Sequence, residues 1–148
     1  MKQLRLSFDF DGSIERESLQ KYAEELVQRG HEVWIVTRRY SDINNYTKEF
    51  CKQYGITNLI HEHKHLFTVA AKCGIKPENI HFMDMVEKYH FFQRNESFLW
   101  HLDDNYIECR EINQNTKTVA RYRDWETDRK STRLNSSHIT RSRMPSSA

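Results

Sequence analysis

The sequence predicts an α/β fold: a three-layer, Rossmann-like parallel sheet with helices on both faces. Short apolar runs alternate with stretches whose apolar residues recur every three or four positions, the order of repeated strand–helix units. Polar or acidic residues follow each apolar run, which is where ligands bind in such sheets. The 148 residues allow one domain with a single core.

The first strand spans Leu4 to Phe10. Leu19, Tyr22, Ala23, Leu26 and Val27 then share one helical face, and Gly30 supplies the stop. Glu32 to Thr37 is a continuous apolar run, the pattern of a strand covered on both sides. A second helix is expected from a Ser41 cap through Ile43, Tyr46, Phe50, Cys51 and Tyr54 to Gly55. A third covers Leu66 to Cys73 and ends at Gly74, and Pro77 sets a turn. Asn79 to Met83 and Ser97 to Leu102 read as the third and fourth strands. Tyr89, His90, Phe91 and Phe92 could stack a base but are expected to pack as core or a covering loop.

The strand ends present Asp9 and Asp11, then Thr37 with Arg38 and Arg39, then Asp84, then Asp103, Asp104 and Asn105. Residues two apart on a strand point the same way, so Asp9 and Asp11 are expected on one side, with Phe8 and Phe10 packing on the other. Two carboxylates so close repel, and a divalent cation relieves this. Phe8-Asp9-Phe10-Asp11-Gly12-Ser13 therefore suggests a magnesium-dependent phosphoryl-transfer site, against the plainer reading of a solvated Asp-Gly turn. No GxGxxG or GxxxxGK[ST] occurs among the four glycines, which argues against a dinucleotide site or a P-loop. His61-Glu62-His63-Lys64-His65 would line up three imidazoles on a strand and could bind zinc, but the stretch reads as a polar loop and no zinc is expected.

Composition bounds the rest. Hydrophobic residues make up 37% and charged ones 30%, and no run nears the roughly 18 apolar residues of a membrane span. Met1 leads into a strand without a signal-peptide pattern, so a cytoplasmic protein with no membrane partner is expected. Cys51, Cys73 and Cys109 lack disulfide or zinc spacing. Residues 121 to 148 hold seven of the 23 basic and three of the 21 acidic residues, so the first 120 carry 16 basic against 18 acidic. The tail is rich in Ser, Thr, Arg and Asn and is expected to be disordered. Its segments from Asp124 to His138 and from Arg141 to Ala148 resemble translated sequencing-adaptor read-through. On that resemblance the domain is 1–120 and the tail 121–148 is not native, with the natural C-terminus and a last strand lost.

Asp9-Phe10-Asp11-Gly12-Ser13, Thr37 after an apolar strand, Lys88 before the fourth strand, and Asp103-Asp104 after it together resemble the four motifs of haloacid dehalogenase-like (HAD) phosphohydrolases. The resemblance covers about residues 3 to 112. It implies that Asp9 attacks phosphorus to form an aspartyl-phosphate, while Asp11 protonates the leaving oxygen and then activates water. Mg2+ would be held by Asp9, the Asp11 main-chain carbonyl, Asp103 and Asp104. Thr37 and Lys88 would hold phosphate oxygens, beside Gly12 and Ser13, and Arg38 and Arg39 could grip a second phosphate. About seven residues separate Gly12 from the first helix, too few for a large cap. A minimal cap leaves the site open, which suits a nucleotide or a nucleic-acid-end phosphomonoester, the substrate type of deoxyribonucleotidase-like relatives. A non-catalytic module is the alternative, either a binding-only relative or a receiver-like one. Receiver domains, however, carry their paired acids after strand one and the phosphoacceptor in mid-chain, the reverse of the order here.

Overall fold

The computed structural model describes residues 2–122. Its five strands are β1 (Arg5–Phe8), β2 (Glu32–Thr37), β3 (Ile80–Phe82), β4 (Phe98–Asp103) and β5 (Val119–Tyr122). Its helices are α1 (Glu17–Gln28), α2 (Lys48–Gln53), α3 (Leu59–Cys73), α4 (Tyr89–Arg94) and α5 (Tyr106–Asn115). All four strand pairings are parallel, in the order β3-β2-β1-β4-β5. The chain builds outward from β1 to β3 and then returns to lay β4 on the other side of β1. This creates a topological switch point between β1 and β4, the crevice where α/β sheets bind ligands.

The apolar alternation of the strands explains the two cores. Leu6, Phe8 and Ile35 point to one face, where they meet Leu19, Ala23 and Leu26 of α1 and Leu66, Val69 and Ala70 of α3. Val36 and Phe98 point to the other face, where they meet Phe91 and Phe92 of α4 and Cys109 and Ile112 of α5. The sheet thus has helices on both faces, as the sequence predicts. Of the aromatic run at 89–92, Phe91 and Phe92 are core, Tyr89 packs partly buried against them, and His90 stays partly exposed. Among the described residues, no helix is long and apolar enough to cross a membrane.

The structure departs from the sequence reading in several elements. The helix expected from Ser41 breaks into a single turn at Ile43–Asn45, capped by Asp42, and the short α2, capped by the Thr47 hydroxyl, which accepts from Phe50 N at 3.0 Å. No residue of α2 is buried, so little packing supports a longer helix. Residues 61–65 are not a loop: they lie within α3, which starts seven residues before Leu66. Asn58 Oδ1 accepts from His61 N at 3.0 Å and caps this extension, whose exposed residues leave no apolar stripe to read. A fifth strand is present, and it takes in Arg121 and Tyr122, so the domain runs past residue 120. The tail expectation for 123–148 lies outside the described residues.

Candidate active site

The backbone leaves β1 through a tight turn. Asp9 is extended, its N–H donates to Leu102 O of β4 at 2.8 Å, and its carbonyl accepts from Ile14 N at 3.1 Å. Gly12 has φ of 77°, and a Cβ there would sit 1.9 Å from Asp104 Oδ2. The position is closed to any side chain by conformation and by space. Gly12 N donates to Glu15 Oε1, Ser13 is buried under the turn, and α1 begins at Glu17.

Inside the turn lies a buried charge network. Lys88 Nζ, 2% exposed, donates to Asp9 Oδ1 at 2.7 Å and to Asp103 Oδ2 at 2.5 Å. Burial would strip the ammonium of its proton, but Asp103 and Asp9 outweigh it and hold Lys88 well above the ordinary lysine range. Burial alone would likewise raise Asp103, yet Lys88 and His101 keep it well below the usual carboxylate range. Asp9 goes the other way: burial and the neighbouring Asp103 carboxylate raise it, and Lys88 offsets this only in part.

Asp103 has two further partners. His101 Nε2 lies 2.8 Å from Asp103 Oδ2, and His101 Nδ1 lies 2.8 Å from Ser7 Oγ. Burial, opposed by the Asp103 contact, lowers His101 to about 4, so the ring is neutral near pH 7. Facing an ionised Asp103, Nε2–H donates to the carboxylate and Nδ1 accepts the Ser7 hydroxyl proton. The other Asp103 oxygen accepts from Asn105 N at 3.0 Å, and Asn105 caps α5. Lys88, His101 and Asn105 thus hold the Asp103 carboxylate, and Ser7 holds the His101 ring.

Lys88 itself is delivered by a strained turn. Asp84 and Met85 have φ of 53° and 69°, unusual for residues with side chains. Their N–H groups donate to Arg39 O and Arg38 O, so the turn is stitched to the end of β2. Glu108, buried on α5, accepts from Lys88 N at 3.1 Å and from Arg38 at 2.9 Å, while Arg38 also donates to Met85 O. Arg38, expected at a substrate phosphate, is thus committed to positioning the Lys88 turn. Asp84 accepts from Ser41 N and Oγ and braces the same loop.

Asp9 and Asp11, expected on one side, diverge. The strand ends at Phe8 and the turn carries Asp11 out to the rim, whereas Phe8 and Phe10 both reach the core as expected. Asp11 meets Arg39 in a two-pronged pair, Nη2 to Oδ1 at 2.6 Å and Nε to Oδ2 at 3.0 Å. Arg39 also donates to Glu62 O and lies 4.9 Å above the Phe10 ring. Thr37, 1% exposed, sits at the end of β2, and its hydroxyl accepts from Arg39 N at 3.3 Å.

One oxygen each from Asp9, Asp103 and Asp104 lie within 4.8 Å of one another, straddling the switch point. Three carboxylates face a single ammonium, leaving negative charge to be neutralised. The oxygen-only donors fit a hard divalent cation such as Mg2+. Ser7, His101 and Glu108 were not among the expected residues. Ser7 stands two residues before Asp9 and His101 two before Asp103, so each shares its aspartate's strand face, and β1–β4 register pairs them directly. A histidine inside the apolar run 98–102 was the available signal. Comparison with protein-family models, curated proteins and solved structures gives no significant match for this chain.

Proposed function

We propose that the chain is a Mg2+-dependent phosphomonoester hydrolase in which Asp9 is the nucleophile, acting on an accessible phosphate of a nucleotide or nucleic-acid end. The observation that carries this is the Asp9–Lys88–Asp103 network beside Asp104 at the switch point. Asp9, Asp103 and Asp104 would hold Mg2+, which when bound supplies Lewis-acid polarisation of the phosphoryl group and neutralises charge around Asp9. Lys88 holds one Asp9 oxygen and orients the other for attack on phosphorus. The P–O bond to the leaving group breaks as the Asp9 oxygen–phosphorus bond forms, and water later releases phosphate. Lys88 and Thr37 would stabilise the charged phosphoryl oxygens.

Asp11 is the proton donor in this reading, and it must leave Arg39 to reach the leaving oxygen. An incoming phosphate can take its place on the guanidinium. The same Arg39–Asp11 pair favours the second reading, a binding-only module whose Asp11 never disengages.

Phosphate release from aryl phosphates and deoxynucleoside monophosphates, with and without Mg2+, tests the proposal. Activity abolished both by chelation and by Asp9→Asn is the expected result. A folded protein that binds phosphomonoesters without turning them over supports the binding-only module instead.

A further inference from the structure

The first turns of α3 carry His61-Glu62-His63-Lys64-His65. On a helix, residues four apart share a face, and the His61 and His65 ring centroids stand 6.1 Å apart with planes inclined by only 13°. His63 turns away, its ring 5.3 Å from Phe67 and stacked on Phe82 at 5.9 Å. The three imidazoles that a strand would align are therefore a pair and a separate packing residue. The pair is preorganised: Asn58 caps the helix beneath His61, and His65 packs edge-on against Phe10 at 5.9 Å.

The stretch matches H-E-x-x-H, the helical pattern in which two histidines bind zinc and the glutamate serves as a peptidase base. Two observations remove the peptidase chemistry. Glu62 Oε1 lies 3.7 Å from the Arg39 guanidinium, so the carboxylate is engaged. Among the described residues, the only cluster of three ligating side chains is Asp9, Asp103 and Asp104, so no third ligand joins the histidines.

We propose that His61 and His65 form a binding site for a divalent transition-metal ion of the Zn2+, Ni2+ and Cu2+ class, with water completing the coordination. Imidazole selects this class, whereas carboxylates select hard cations, so the protein carries two cation sites of different chemistry. Phe10 separates them: His65 packs on its ring edge, and its chain neighbours are Asp9 and Asp11. The site does not depend on the phosphatase reading.

Zn2+ titration of the full chain, untagged and stripped by a chelator, tests this by calorimetry with Mg2+ in excess. Histidine-ring NMR spectra then locate the ion. The expected result is movement of the His61 and His65 ring signals and a loss of about a hundredfold in affinity for His61→Asn, because one of two tethered ligands is gone. His61 is exposed, so this variant keeps its fold, which circular dichroism verifies. His63→Asn retains the affinity. Undiminished binding in both His61→Asn and His65→Asn overturns the proposal, as does a titration abolished by Asp104→Asn, which assigns the ion to the carboxylates.

Discussion

The two carboxylates of the Asp9-Phe10-Asp11 turn, one residue apart, live in different physical worlds. Asp9 is buried against Lys88, whose other partner Asp103 is itself held by His101 and Asn105. Asp11, with a side chain 55% exposed, is held at the rim by Arg39. The inner network cannot rearrange without leaving a charge buried, whereas the outer pair can exchange Arg39 for water or a ligand anion at little cost. A site of this kind has a rigid centre that positions and a loose rim that responds.

Lys88→Met attacks the centre most directly. It leaves Asp9 and Asp103 facing each other without a cation, and urea unfolding is expected to show a loss of about 3–5 kcal/mol. A loss under about 1 kcal/mol breaks the comparison, because the centre would then be no stiffer than the rim. Mg2+ should stabilise the protein in thermal denaturation by about 2.7 kcal/mol at a hundredfold excess over its dissociation constant. Asp104→Asn should remove most of that gain, and a response that survives the substitution places the ion elsewhere.

His101→Phe keeps a planar aromatic ring, somewhat larger than imidazole, but strands the Ser7 hydroxyl and one contact of Asp103. Destabilisation of about 1–3 kcal/mol is expected, measured by the same urea titration. The smallest effect belongs to the rim: Arg39→Met should change stability by less than about 1 kcal/mol. It should instead raise KM for a phosphomonoester more than it lowers kcat. An unchanged KM in steady-state kinetics removes Arg39 from phosphate recognition.

Much of this arrangement is legible along the chain. The apolar runs locate four of the five strands, and Asp9, Thr37, Lys88 and Asp103 are each identifiable by position relative to a strand end. What the pattern misses has a common cause. The α3 extension at 59–65 and the short α2 carry few buried side chains, so helical periodicity is faint there, and caps at Asn58 and Thr47 do the work that an apolar stripe does elsewhere. β5, at 119–122, is short, and two of its residues were hidden in a composition read as tail.

The sequence by itself determined the parallel α/β architecture, because strand and helix periods are local properties of neighbouring residues. It also determined that acidic groups would gather at one rim. Only the tertiary structure decided their partners: Lys88 with Asp9 across 79 residues, Ser7 with His101 across 94, Arg39 with Asp11 across 28. These pairings depend on sheet order, on register and on where a turn leaves the strand, and no local pattern carries that information. The same turn that buries Asp9 exposes Asp11, and the helix that replaces an expected loop pairs His61 with His65 and sends His63 to pack on Phe67 and Phe82.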